Sequence, residues 1–232
     1  MRSLGGRPAS IAIGIATAIV IVAVAIIPFL TPAWIGFEQG RAQAAAWTGY
    51  DEADLRTATN AILADLVIGP PDFDVSIAGA VVLNERERGH MRDVRTVFGG
   101  LAIAAVISAI VLVIAAVRRK DRAATWRAVR QGAIWLVAVV VGLGVFALIA
   151  FDTLFEVFHE VLFPAGSYDF DPATERLVQL FPFQFWQETA IAVGIVIIAI
   201  SAVVGLVAHD RASRPSPEPA ADQATTPVAE PG

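Results

Sequence analysis

Residues 96–117 read TVFGGLAIAAVISAIVLVIAAV, and the thirteen residues that follow, 118–130, read RRKDRAATWRAVR. A run of 22 residues without a formal charge spans roughly 33 Å as a helix rising about 1.5 Å per residue, enough to cross about 30 Å of hydrocarbon. Lipid offers no partner for backbone N–H and C=O groups, so such a run is read as a helix. The basic stretch gives it a direction. Arg118, Arg119, Lys120, Arg122, Arg127 and Arg130 stand against the single acid Asp121, and a short loop of that composition is retained in the cytoplasm.

Working outward, residues 8–37, 131–151 and 189–208 also lack charge. Four spans follow, at about residues 10–30, 97–117, 131–152 and 189–208. An even number of crossings puts both termini on the cytoplasmic side, in accord with Arg2 and Arg7 before the first span and Arg211 and Arg214 after the last. The other two connections, 31–96 and 153–188, then face outward. Both are acidic on balance: residues 31–95 carry six arginines against ten acids, and 153–188 carry Arg176 against six acids. The first apolar run is longer than a signal-peptide core, and its nearest small-x-small site, at Ala42 and Ala44, lies well past Leu30, so it is read as a retained anchor.

The predicted fold class is thus an all-α integral membrane protein, a four-transmembrane-helix bundle of residues 1–210 with two extracytoplasmic loops. A tail of residues 211–232, with five prolines and almost no bulky apolar side chain, is read as disordered in the cytoplasm. The chain is 56 % hydrophobic and 17 % charged, too apolar for a soluble domain of 232 residues. Having no cysteine, it has no disulfide, thiolate nucleophile or cysteine metal site. A glycine-rich phosphate loop and a basic-aromatic surface are both missing, which sets nucleotide and nucleic-acid binding aside. Transport needs ionisable groups within the spans, and Asp152, at an outer end, is the nearest.

In the first outer loop, Thr48 with Asp51 reads as the start of a helix carrying Leu55, Ala58, Ile62 and Leu66 at helical spacing, stopped by Gly69 and Pro70. Alternation of Phe73, Val75 and Ile77 with Asp74 and Ser76, then Ala78 and Gly79, predicts a small hairpin with residues 81–83. Asn84 and Glu87 form a capping pattern that starts a helix running through His90 into the second span. The third span extends to Pro164, with Asp152, Glu156 and His159 sharing one face. Asp171 and Pro172 predict the N-terminus of a short helix reaching Phe181. Phe181, Phe183, Phe185 and Trp186 read as an aromatic cluster at the lipid interface.

Of three histidines, His209 falls on the cytoplasmic side while His90 and His159 fall on the outer face. Their offsets from the adjoining spans, six and eight residues, set them at heights of roughly 9 and 12 Å. If the second and third spans pack as antiparallel neighbours, the two rings meet. Singly, each is an interfacial polar residue; as a pair, one imidazole can take a proton and the other return it near an unperturbed pKa of about 6.5. Asp93 and Glu156, each three residues from a histidine, are candidates for fixing a tautomer. Ser76 and Ser167 lie in no nucleophile elbow, and without H-E-x-x-H spacing no metal site is expected.

The segment E-R-G-H-M-R-D-V holding Glu87, His90 and Asp93, the segment F-D-T-L-F-E-V-F-H-E-V-L-F at 151–163, and Leu180, Phe181, Pro182 and Phe185 before the last span together resemble the bacterial lipoprotein intramolecular transacylase family. The resemblance covers nearly the whole chain. It implies an acyltransferase in the bacterial plasma membrane whose partners are a diacylated lipoprotein N-terminus and membrane lipid, with no cofactor. The sn-2 acyl chain of the S-diacylglyceryl group would move to the α-amine of the N-terminal cysteine, leaving a lyso-form lipoprotein. It also implies a catalytic dyad of His90 and His159, to which spacing adds Glu87, Asp93, Asp152 and Glu156 as candidate supporting residues. The chain departs from the family pattern at Ser167, Tyr168 and Phe183, which bears on lipid or peptide selectivity. The reading opposed to this one is a non-enzymatic scaffold or sensor presenting its outer loops to a partner protein.

Overall fold

The computed structural model describes residues 6–118 and 121–214. Four of its helices are long and apolar enough to cross a membrane: α1 (Gly6–Ile26, prolonged by a tight turn over Ile27–Leu30), α5 (Glu85–Arg118), α6 (Arg122–Leu162) and α8 (Phe183–Ser213). Between α1 and α5 lie α2 (Pro32–Arg41), α3 (Ala44–Thr48), α4 (Glu52–Val67) and a hairpin of β1 (Ser76–Ile77) with β2 (Ala80–Val81); α7 (Arg176–Leu180) precedes α8. Exposed Ile103, Val106, Val139, Ile195 and Leu206 line the flanks of the long helices, where only hydrocarbon suits them.

The helices do not sit as their connections suggest. α5 packs on α1, and α6 packs on α1 and α8, whereas α5 and α6 scarcely touch despite their short link. This corrects the expectation of antiparallel neighbours: α1 lies between them. Its crossing with α6 is a backbone contact at Gly14 and Gly132, where a Cβ on Gly132 would drive into the backbone of Gly14. Close approach through small residues is how helices associate where lipid removes the hydrophobic drive. Gly132→Leu should therefore lower the unfolding midpoint in detergent by several degrees, whereas the same change at Gly142, with open space around its Cβ position, should leave it unchanged.

The segments outside the apolar runs form a cap with a core of its own. Ile35, Leu55, Ile62, Phe73, Leu83 and Leu180 are buried together there. Several local expectations need correcting. Thr48 ends α3, because Gly49 at φ 71° breaks the helix, and the cap of α4 is Asp51, which accepts from the N–H groups of Ala53 and Asp54 at 2.8 Å. Phe73, at φ 52°, turns the chain before it can become strand, so the hairpin shrinks to two pairs, Ser76 with Val81 and Ile77 with Ala80. Its turn is at Ala78 and Gly79, both at positive φ, as a two-residue hairpin loop requires. Asp171 organises a turn rather than a helix, accepting from Ala173, Thr174 and Glu175, and α7 starts only at Arg176. At the other end, residues 211–213 continue α8 instead of opening the tail; residues 215–232 lie outside those described.

The cap is fastened to the bundle by α2. Trp34 donates its indole N–H to Thr189 and Arg41 pairs with Glu188, both on α8, while Gln39 ties α2 to α7 within the cap by donating to the Leu180 carbonyl at 2.9 Å. Glu38 is buried beside Arg41 and Glu188. Burial, followed by the hydrogen bond and charge of Glu188, raises its carboxyl to about 7 from 4.5, against the pull of Arg41. A proton held more tightly in the folded state than the unfolded one gives stability that is complete below pH 4.5 and is lost as the pH climbs through the folded value. The unfolding midpoint of the wild type, measured relative to that of Glu38→Gln, should therefore fall between pH ~5 and ~7.5, a comparison that cancels the opposite slope contributed by the histidines.

Candidate active site

The first turns of α5 and the last turns of α6 rise beyond the apolar runs on the same side of the bundle. There His90 and His159 stack with ring centroids 6.0 Å apart and planes inclined by 23°. Both are nearly covered, at 7 % and 9 % exposure. The approach follows a break in α6: Ala150, at φ −145° and ψ 55°, interrupts the helical backbone just before the segment that carries His159.

Nδ1 of His159 lies 2.7 Å from the carbonyl oxygen of Phe155, one turn back. A carbonyl only accepts, so Nδ1 carries the hydrogen and Nε2 of the neutral ring presents its lone pair. The tautomer is thus fixed by the backbone rather than by Glu156, which is exposed. His90 differs: its Nδ1 is buried without a hydrogen-bond partner among the described residues, so Asp93 does not hold it. Asp152 is exposed as well. Although it shares a helical face with His159, only the level of His159 is roofed, because the chain turns back over it at Phe163 and Tyr168.

Aromatic rings enclose the pair. Phe163 lies 4.8 Å and Phe170 5.5 Å from the His90 ring, and Phe155 and Tyr168 lie 4.2 and 5.2 Å from that of His159. Such walls exclude water and make a charge on either ring costly unless it is transient. Phe155 and Phe163 stand four residues either side of His159, a helical spacing visible in the sequence; Tyr168 and Phe170 come from an irregular loop and carry no such signal. Of the four residues expected at the lipid interface, Phe183 and Trp186 are exposed at 45 % and 41 % and flank Phe155. Phe181 and Phe185 are instead buried in the core of the cap, the first where α7 ends and the second on the inner face of the first turn of α8.

The loop over the histidines is tied to the first turn of α5. Asn84 and Glu87 form the expected reciprocal cap, but Glu87 does more. Fully buried, it accepts from the Asn84 N–H at 2.7 Å and from the Leu177 N–H of α7 at 2.6 Å. Arg86 donates to both oxygens of Glu175, at 2.7 and 2.6 Å, and lies 4.7 Å over the ring of Phe170. Burial alone would raise the Glu175 carboxyl, yet hydrogen bonds from Arg86, the Asp171 N–H and Asn84 outweigh it and hold it below 4.5. Its grip on the loop is present above that pH and fades as the pH falls through the lowered value. This pairing joins residues 89 apart in sequence. Among the described residues no three His, Cys, Asp or Glu side chains converge as a metal cage would.

Fold and site define a class: a multi-pass helical membrane protein with an imidazole pair in an aromatic chamber at one end of its bundle. Residues 10–186 match the family of the lipoprotein intramolecular transacylase Lit, and the chain belongs to that family. Its fold is that of the integral membrane lipoprotein intramolecular transacylase Lit of Bacillus cereus, with a TM-score of 0.74 at 16 % identity over 89 % of this chain and 95 % of that one. Two variants of the Bacillus cereus protein, each with one histidine replaced, by arginine or by alanine, align with TM-scores of 0.68 and 0.62 at 17 % and 18 % identity. They cover 89 % and 88 % of this chain and 91 % and 92 % of theirs. No curated protein sequence matches the chain.

Proposed function

We propose that the chain moves the sn-2 acyl chain of an S-diacylglyceryl lipoprotein to the α-amine of its N-terminal cysteine, with His90 and His159 as the acid/base pair. The stacking of two near-covered imidazoles at 6.0 Å carries the reading; family membership supplies the reaction class. The substrate brings both nucleophile and electrophile, so the protein has only to orient them and move protons. The amine attacks the ester carbonyl carbon, and Nε2 of His159, whose lone pair is fixed by the Phe155 carbonyl, takes the amine proton. The C–O bond to the glycerol breaks, and the departing oxygen takes a proton from neutral His90 as that ring accepts the one held by His159; burial and the neighbouring His159 keep His90 uncharged at rest, its pKa lowered to about 4. A new amide and a free glyceryl hydroxyl result, with no net proton gained or lost. Both rings end neutral, as they began.

Sidedness belongs to this proposal. The arginines between α5 and α6 hold that link in the cytoplasm, so both termini lie inside and the chamber opens at the outer face of the plasma membrane. The lipoprotein N-terminus and the lipid around it are the partners. Expressed in a bacterial host that makes only diacylated lipoproteins, the chain should yield N-termini with one chain on the amine and one on the glyceryl group, by mass spectrometry of N-terminal lipopeptides. A host that keeps both chains on glycerol would favour the scaffold reading.

A further inference from the structure

The end of the bundle that carries both termini holds a second chamber, of about 510 Å³, where all four long helices diverge. It opens because α5 leans on α1 and leaves α6. Val20, Leu112, Val113, Val129 and Val204 wall it. Its two threonines offer no free donor, since Thr17 donates to the Ile13 carbonyl and Thr125 to that of Asp121. The interior is hydrocarbon-like and within the size range of about 300–1,000 Å³ typical of small-molecule sites.

The mouth is different. Arg122 from α6 and Arg211 from α8 line it together with Trp126, and the Arg211 guanidinium lies 5.9 Å over the Trp126 ring. The neighbouring acids are engaged elsewhere, Asp121 with Arg127 at 3.8 Å and Asp210 with Arg214 at 2.6 Å. Arg122 and Arg211 therefore have no carboxylate partner among the described residues. Guanidinium pairs are suited to forked hydrogen bonds with phosphate, and basic pockets between spans take anionic headgroups.

We propose that this chamber binds one anionic phospholipid, its phosphate between Arg122 and Arg211 and an acyl chain among the valines. The site lies on the order of 50 Å from the histidines, since 37 residues of α6 separate Arg122 from His159 at about 1.5 Å each. It is thus a lipid site apart from the proposed chemistry. Charge complementarity selects the occupant: a zwitterionic lipid would bring a quaternary ammonium against two guanidinium groups.

The test is native mass spectrometry of the full chain in detergent, titrated with dioleoyl phosphatidylglycerol or dioleoyl phosphatidylcholine. The anionic lipid should be retained at roughly tenfold lower concentration, and Arg122→Gln/Arg211→Gln should erase that preference. Val113→Trp, which fills the chamber, should lose the bound lipid while keeping the lipid-free unfolding midpoint. Arg56→Gln, which removes an exposed charge from the cap, should bind as the wild type does. Equal retention of the two lipids, an undiminished preference in the double arginine variant, or displacement of the lipid by inorganic phosphate would each overturn the proposal.

Discussion

Replacing His159 by alanine should lower the rate of acyl transfer by roughly 10²–10⁴, the range of a positioned acid or base, and replacing His90 should do about the same. The double variant should be little slower than either single one, because two groups that pass one proton between them act as a unit. His159 has the clearer assignment. Its Nδ1–H is committed to the Phe155 carbonyl at 2.7 Å, which leaves Nε2 to accept. With an orphaned Nδ1 packed against Phe163 and Phe170, His90 is positioned by packing alone. Single-turnover transfer on a synthetic diacylated lipopeptide, with unfolding midpoints measured in parallel, separates lost chemistry from lost fold. A variant that keeps its midpoint and its rate would remove that histidine from the mechanism.

Glu87→Ala should have the next largest effect, and on a different observable. Its carboxylate accepts from the buried N–H of Leu177 and from the N–H of Asn84, which is exposed. Orphaning the buried one costs about 1–3 kcal/mol of local stability, while water can satisfy the other. The loss falls on the loop that carries Tyr168 and Phe170 over the dyad. Transfer should slow by roughly tenfold or more for want of an ordered chamber, since small misplacements are costly, and amide exchange should accelerate across residues 164–182. Glu87→Gln should fall between, because its amide oxygen can still accept one N–H while its NH₂ faces the other. If exchange in that loop is unchanged while the rate collapses, Glu87 touches the chemistry directly and the positioning role is wrong.

The apolar runs were enough to define the four long helices, because length and missing charge leave lipid no other solution. The heights of the two histidines were also readable, since both counts run along single helices. What joined them was not. The sequence suggested that α5 and α6 pack side by side, yet α1 separates them through the contact of Gly14 with Gly132, and no periodicity marks the break at Ala150. Carboxylates chosen by spacing fared unevenly for the same reason. Glu87 is buried and bonded, whereas Asp152 and Glu156 point outward, because burial depends on which chain segment returns to cover a face. Arg86 and Glu175 form the firmest tie over the site, and nothing local connects residues so far apart.

The central claim is that one molecule's amine receives the acyl chain of its own glycerol, with the imidazole pair moving the proton. The most direct measurement uses a diacylated lipopeptide carrying an isotope label in the sn-2 chain only, mixed with an unlabelled lipopeptide of different sequence and incubated with the purified protein. Fragmentation should place the label on the amine of the labelled peptide alone, with a free hydroxyl on its glycerol. Label released as fatty acid, found on the other peptide, or left on glycerol would contradict the account.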